Sequence, residues 1–162
     1  MKIVRKYLAG IAFGVLIAAS CAPNAFPADG RIPEDTAVTL QRSVCYGECP
    51  AYMLTVKADG TVNFVGRQFT ETVGEAEGRI GEEQMRELVQ AFEPADFFAL
   101  DDHYTTDDCS TANPTVLTSL TINGESKEIE HDTGCGAPAQ LGVLENRIDE
   151  IVGSQRWIGD GH

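Results

Sequence analysis

Cysteine is the residue type in this chain with the widest chemistry, and its five copies fall into two groups. Cys21 stands alone near the N-terminus, whereas Cys45, Cys49, Cys109 and Cys135 lie in the body of the sequence. A cysteine thiol can carry a lipid, bind zinc, exchange disulfides or form a structural crosslink. The spacing of the cysteines and the compartment of the protein decide among these roles.

Cys21 follows a segment with the marks of an export signal. Residues 1–7 carry three basic residues and no acid, and residues 8–19 are apolar or small. Small residues directly before the cysteine form a lipobox, and the arrangement resembles the signal of bacterial lipoproteins. We therefore interpret residues 1–20 as a lipoprotein signal peptide and Cys21 as the acylated N-terminus of the mature protein. Ala22 in the next position favours the outer membrane, on the periplasmic side.

Two other interpretations of the N-terminus are weaker. An ordinary signal peptide needs small residues one and three positions before the cut, but cuts after Ala25 or Ala28 would place Pro23 or Phe26 at the third position. An uncleaved membrane anchor would need roughly 20 apolar residues, and this segment is shorter.

The charge balance excludes one class of partner. The chain has a net charge of −13, and loss of residues 1–20 removes three of twelve basic residues and none of twenty-five acidic ones, which leaves −16. Phosphate binding depends on Lys and Arg, so we expect no nucleic-acid partner, and attachment to the membrane must come from the lipid on Cys21.

Periodicity divides the mature chain into a tether and one domain. Residues 21–35 hold three prolines and no periodic pattern, so they predict a flexible tether. Residues 36–158 are long enough for a single domain with its own core, followed by a tail at 159–162.

Within the domain, alternating apolar residues predict strands and a 3.6-residue period predicts helices. Four strands precede a helix that ends before Pro94, and a hairpin around Asn123-Gly124 precedes a second helix between Pro138 and Gly153. Asp59-Gly60 favours a two-residue type I′ turn between the second and third strands. The order ββββαββα predicts an α+β domain, with a mostly antiparallel sheet and two amphipathic helices packed on one face.

Four exported cysteines most simply form two disulfides, for which three pairings exist. We favour Cys45–Cys49 with Cys109–Cys135, because Gly47 lets the short segment turn and the second hairpin brings the other two cysteines together. A zinc site would need all four thiolates to converge and lacks the paired C-x-x-C spacing. Redox catalysis at Cys45 and Cys49 would need a low-pKa thiolate, which flanking strands and Glu48 disfavour.

The domain contains several short motifs: Arg42-x-x-Cys45-Tyr46-Gly47-x-Cys49-Pro50-x-Tyr52, Gly60-x-Val62-x-Phe64-x-Gly66, Tyr104, Asn113-Pro114-Thr115 and Arg156-Trp157. Together these motifs resemble a bacterial family of exported proteins, the domain of unknown function 6438. The resemblance covers roughly residues 36–158 and implies no activity. Ala112 and Asn113 depart from it, because the family has a Thr-Asp pair before the proline.

Other motifs favour no specific chemistry. Four aspartates surround His103 and Tyr104 in the acidic loop 101–108, but the loop lacks the spacing of a calcium loop. His103 and His131 could act as ligands or bases, but His131 shares a strand face with Ile129 and is expected to be a packed or exposed structural residue. No nucleophile elbow, phosphate loop or H-E-x-x-H motif is present, so hydrolase and nucleotide chemistry lack support. Trp157 is expected to cover a core edge, although an exposed tryptophan would mark a partner surface.

The sequence therefore predicts a non-enzymatic, lipid-anchored envelope module without catalytic residues, metal or cofactor. A protein partner in the envelope is the expected ligand, and the candidate interaction residues are Tyr46, Glu48, Tyr104 and Trp157. The alternative is a thiol-redox or metal-binding activity at the turn between Cys45 and Cys49.

Overall fold

The computed structural model describes Phe26, residues 30–105 and residues 112–159. Cys21, Cys109, the signal segment and most of the C-terminal tail lie outside this range. The statements below concern the described residues.

Seven strands form one sheet, and their order is β4-β3-β2-β1-β6-β7-β5. All neighbours are antiparallel except β5, which runs parallel to β7 and pairs His103 with Glu130 and Tyr104 with His131. The α+β class and the antiparallel hairpins predicted from the sequence are confirmed. The strands are β1 (Ala37–Arg42), β2 (Ala51–Lys57), β3 (Thr61–Gln68), β4 (Gly74–Arg79), β5 (His103–Tyr104), β6 (Thr115–Ile122) and β7 (Glu125–Asp132).

Three α-helices accompany the sheet: α1 (Glu82–Gln90), α2 (Ala139–Val152) and α3 (Gln155–Ile158). A single 3₁₀ turn, Phe97–Ala99, follows α1. The pattern predicted α1 and α2 but missed α3 and β5, which are too short to show a period. Gly153 ends α2 in the left-handed conformation, with φ of 67°, as expected for a glycine after a helix.

One face of the sheet carries the hydrophobic core. Alternate residues of the central strands, such as Leu40 and Leu54, are fully buried, and the residues between them are only partly buried. Met85 and Leu88 of α1 and Leu141 and Ile148 of α2 belong to the same cluster. The domain is therefore a two-layer structure in which the helices cover one face.

The turns of the β6–β7 and β2–β3 hairpins differ in length and conformation. Asn123 and Gly124 both have positive φ, 52° and 77°, which is the two-residue type I′ arrangement. The prediction of the same turn at Asp59-Gly60 is wrong, because β2 ends at Lys57 and only Gly60 has positive φ. The loop has three residues, 58–60. Asp59 is exposed, and its carboxylate accepts hydrogen bonds from the backbone N–H and the hydroxyl of Thr61.

The segment 30–35, which the sequence assigned to the tether, contacts the domain. Ile32 packs against the core, and the Asp35 carboxylate accepts hydrogen bonds from the backbone N–H groups of Asn123 and Gly124 at 3.1 and 2.6 Å. The folded domain therefore begins before residue 36. No helix in the described ranges is long and apolar enough to cross a bilayer.

Candidate functional site

The antiparallel register brings several loops to one end of the sheet. Strands β1 and β3 end there, β2 and β4 begin there, and the β6–β7 hairpin has its open end there. We call this the loop end, made of residues 43–50, 69–73, 112–114 and 132–138. The disulfide-bonded cysteines and the first motif of the resemblance lie here or next to it.

A polar cluster lies directly beneath the loop end, between the sheet and α2. Arg42 and Tyr52 are paired neighbours on β1 and β2, and both reach Asp149 of α2. The Arg42 guanidinium lies 2.9 Å from one Asp149 carboxylate oxygen, and the Tyr52 hydroxyl donates to the other at 2.6 Å. Ser154 donates a further hydrogen bond to Asp149 at 2.6 Å. Asp149 is thus the centre of a network that joins two strands to the end of α2.

The surroundings of this cluster shift the pKa of Tyr52 and of Arg42. Burial is the largest influence on Tyr52 and, with the neighbouring Asp149 carboxylate, raises the pKa of the Tyr52 phenol well above its ordinary value. Burial alone would lower the pKa of Arg42, but attraction to Asp149 and Tyr52 outweighs it, so the pKa of Arg42 is raised. A phenol that keeps its proton continues to donate its hydrogen bond to Asp149, so it helps to join β2 to α2.

The Tyr52 shift predicts a loss of stability at alkaline pH. Above about pH 10 an unfolded tyrosine releases its proton, whereas folded Tyr52 keeps it. The unfolded state then binds fewer protons than the folded state, so raising the pH favours unfolding. Tyr52→Phe should start less stable at neutral pH but lose less stability in the alkaline range. Denaturant unfolding at both pH values tests this, and equal alkaline losses in both proteins would contradict it.

An aromatic stack extends from this cluster to α3. The Tyr52 ring lies 5.4 Å from Phe64, and Phe64 lies 5.0 Å from Trp157. The Arg156 guanidinium covers the outer side of Trp157 at 3.9 Å. A Cβ on Gly78 would come within 2.8 Å of the Trp157 ring, so β4 needs glycine there. Trp157 is only 8% exposed, which corrects its place among the candidate interaction residues and supports the core-edge interpretation.

A second polar pair is buried beside the first cluster. His131 of β7 and Glu145 of α2 are both buried, and the His131 Nδ1 lies 3.0 and 3.2 Å from the two carboxylate oxygens. Glu145 lies one helical turn before Asp149, so one face of α2 presents two carboxylates to the sheet. The sequence suggested a packed or exposed role for His131 but gave no sign of its acidic partner.

The disulfide between Cys45 and Cys49 closes the loop between β1 and β2, with the Cα atoms 5.5 Å apart. This prediction is confirmed. The Tyr46 N–H donates to the Ala112 carbonyl at 3.0 Å, and the Ser43 N–H donates to the Thr115 carbonyl at 2.9 Å. The loop is therefore fixed at its base and tied to the segment before β6. We call residues 45–49 the stapled loop.

Cys135 is also disulfide-bonded. Because Cys45 and Cys49 bond to each other, the partner of Cys135 lies outside the described residues. Cys109 lies there too, so the pairing Cys109–Cys135 stays a prediction.

Large exposed apolar side chains concentrate at the loop end. Tyr46 is 94% exposed on the stapled loop, Val44 is exposed just before it, and Phe69 and Val73 are exposed on the loop between β3 and β4. Ala51 pairs with Gln68, so the register places these two loops side by side. Exposed Glu48 and Glu71 flank the apolar residues. Exposed aromatic residues held on a rigid backbone are typical of protein-binding surfaces.

A comparison with protein-family models decides the family. The model described as a domain of unknown function, DUF6438, matches residues 36–152. The chain belongs to this family. No curated protein matches the sequence.

Several motif residues of this DUF6438 domain lie together at or beneath the loop end. Arg42 and Tyr52 belong to the polar cluster, and Phe64 and Trp157 belong to the aromatic stack. Gly66 lies under the 70–73 connection, where a Cβ would come 1.9 Å from the Thr72 carbonyl oxygen. These residues build the support beneath the loop end, and Tyr46 and Glu48 are the exposed part of the same motif.

The remaining candidates stay separate from the loop-end surface. Tyr104 is half-buried in β5, and its hydroxyl accepts a hydrogen bond from the Asp101 N–H at 3.0 Å. Asp102 pairs with Lys127 at 2.6 Å. Asp107 and Asp108 lie outside the described residues. Within the described part of the chain, no group of three or more His, Cys, Asp or Glu side chains is arranged to hold a metal ion.

Proposed function

We propose that this chain is a lipid-anchored lipoprotein of the bacterial cell envelope, whose DUF6438 domain binds a protein partner and does not catalyse a reaction. The proposal places the acyl lipid on Cys21, on the periplasmic side of the outer membrane. The observation that carries the binding role is Tyr46, which is 94% exposed on a loop closed by a disulfide. Holding an aromatic side chain rigid before binding reduces the entropy lost on association.

The loop-end surface fits a protein partner. Its apolar residues lie on two adjacent loops, and both loops are fixed to the body of the domain. The second loop is held because Glu71 and Thr72 donate backbone hydrogen bonds to the carbonyls of Ile158 and Trp157 at 3.0 and 2.9 Å. Exposed acids around this apolar centre give the polar rim that protein interfaces have.

The alternative function is thiol-redox chemistry at Cys45 and Cys49. A reactive thiolate is usually stabilised by a helix N-terminus or a neighbouring cation. Here the disulfide joins residues between two strands, and the intervening residue Glu48 is acidic. These surroundings favour a structural disulfide over a catalytic one.

The lipid anchor is tested by Cys21→Ser. The mature chain carries a charge of −16 and has few cations to bind anionic headgroups, so the lipid should supply the whole attachment. The variant should move from the membrane fraction to the soluble periplasmic fraction, with its fold unchanged. Glu48→Ser, a matched polar change away from the anchor, should stay with the membrane. A Cys21→Ser protein that is processed and still sediments with membranes would contradict lipidation.

A further inference from the structure

An apolar groove lies between the C-terminal part of α1 and the N-terminal part of α2. Its volume is about 510 Å³, within the range of roughly 300–1,000 Å³ that small-molecule sites occupy. Val143 is 68% exposed in its wall, although it lies on a helix whose other apolar residues are mostly buried. The apolar lining residues are Ala91, Pro94, Ala95, Ala139, Val143 and Leu144.

The rim of the groove offers little to a charged ligand. Arg147 forms ion pairs with Glu87 of the other helix and with Glu150 of its own, so its charge is already compensated. The other polar residues of the lining, Gln90 and Gln140, are uncharged. The chemistry of the groove therefore favours an uncharged apolar chain over a peptide with charged side chains.

Phe26 lies close to this groove. Phe26 packs edge-on against Phe98 with ring centroids 6.0 Å apart, and it lines a smaller recess together with Val89, Gln90 and Glu93. Gln90 lines both this recess and the groove. Cys21 is five residues before Phe26, so an extended chain places it at most about 17 Å away.

We propose that the groove between α1 and α2 holds one acyl chain of the lipid attached to Cys21. The inference rests on the lipidation proposed above. Because only a short stretch of chain separates Cys21 from Phe26, binding of the acyl chain is intramolecular. The effective concentration of the acyl chain at the groove is therefore high, and even a shallow groove can bind it. The groove then shields one acyl chain from water whenever the anchor is outside a bilayer.

Hydrogen exchange on the full-length acylated protein tests this inference. The acylated protein and Cys21→Ser are compared in the same mild detergent, and mass spectrometry verifies the acyl mass on Cys21. Residues 87–95 and 139–147 should exchange severalfold more slowly in the acylated protein. Val143→Glu places a charge in the groove wall and should abolish this protection. Val73→Glu is the matched control, because Val73 is 72% exposed at the loop end, and it should leave the protection intact.

The other outcomes separate the two proposals. Acylated Cys21 without protection of the groove would overturn this inference and leave the lipoprotein proposal standing. An unmodified Cys21 would overturn the lipoprotein proposal and remove the occupant as well. Equal protection of the groove in Cys21→Ser would show that detergent fills it. If dilution dissociates a dimer and the protection is lost at the same time, the groove is occupied by a second copy of the chain. Each of these last two results would also overturn the inference.

Discussion

Asp149→Ala is expected to lower the free energy of unfolding by about 3 kcal/mol, the lower end of the range for breaking a buried ion pair. Arg42 and Asp149 side chains are each only 19% exposed, so the variant leaves a largely buried guanidinium without its counter-charge. Tyr52 and Ser154 also lose their acceptor. For a domain of this size the melting temperature should fall by roughly 10 °C. Thermal and denaturant unfolding measure both quantities.

Glu150→Ala is the matched control for this change. It removes an acid from the adjacent position of α2, but the Glu150 side chain is 64% exposed and pairs only with exposed Arg147. Its effect should stay below about 1 kcal/mol. Adding Arg42→Met to Asp149→Ala should recover part of the loss, because the buried charge is then gone. Equal effects of Asp149→Ala and Glu150→Ala would contradict the structural role of the cluster.

Glu145→Leu is expected to destabilise the domain by about 3 kcal/mol. The carboxylate is buried with His131 as its partner, and its removal leaves the His131 ring nitrogen buried without an acceptor. His131→Leu should have a similar effect for the reciprocal reason. The double variant should lose clearly less stability than the two single losses added together, because both polar groups are replaced by apolar ones.

Unfolding of all four proteins gives this double-mutant cycle. A coupling energy of about 1–3 kcal/mol is expected for side chains in direct contact. Strictly additive losses would show that His131 and Glu145 do not depend on each other.

The sequence predicted the elements that have a clear period. Leu40, Leu54 and Phe64 belong to apolar residues that recur at every second position of their strands, and Leu141 and Ile148 recur at helical spacing, so strands and helices could be assigned from pattern alone. Asn123-Gly124 also predicted its turn correctly, because both residues tolerate positive φ. The Asp59-Gly60 prediction was wrong because the Asp59 carboxylate accepts hydrogen bonds from the N–H and hydroxyl of Thr61, which favours a longer loop.

The strand order was not accessible from the pattern. The pairing of β1 with β6 joins Arg42 to Val116, which are far apart in sequence. Strand β5 has only two residues and depends on β7 for its pairing. Such contacts come from tertiary packing, which a local period does not record.

The candidate site was predicted only in part. The stapled loop was found because the cysteine spacing and Gly47 have a direct geometric consequence. Asp149 and Glu145 were missed because each lies on a helix among ordinary charged residues, and only the position of α2 over the sheet brings them to Arg42 and His131. The sequence allows Trp157 either to cover a core edge or to mark a partner surface, and its burial decides for the core edge.

The central claim is that the stapled loop contacts a protein partner in the envelope. The most direct test places a photo-crosslinking residue at Tyr46 in the lipidated protein, at native expression level in intact cells. Glu83, which is exposed on α1 at the opposite end of the sheet, is the control position. The account predicts one specific protein adduct from position 46 that is absent from position 83. The absence of any adduct at position 46, or the same adducts from both positions, would contradict it.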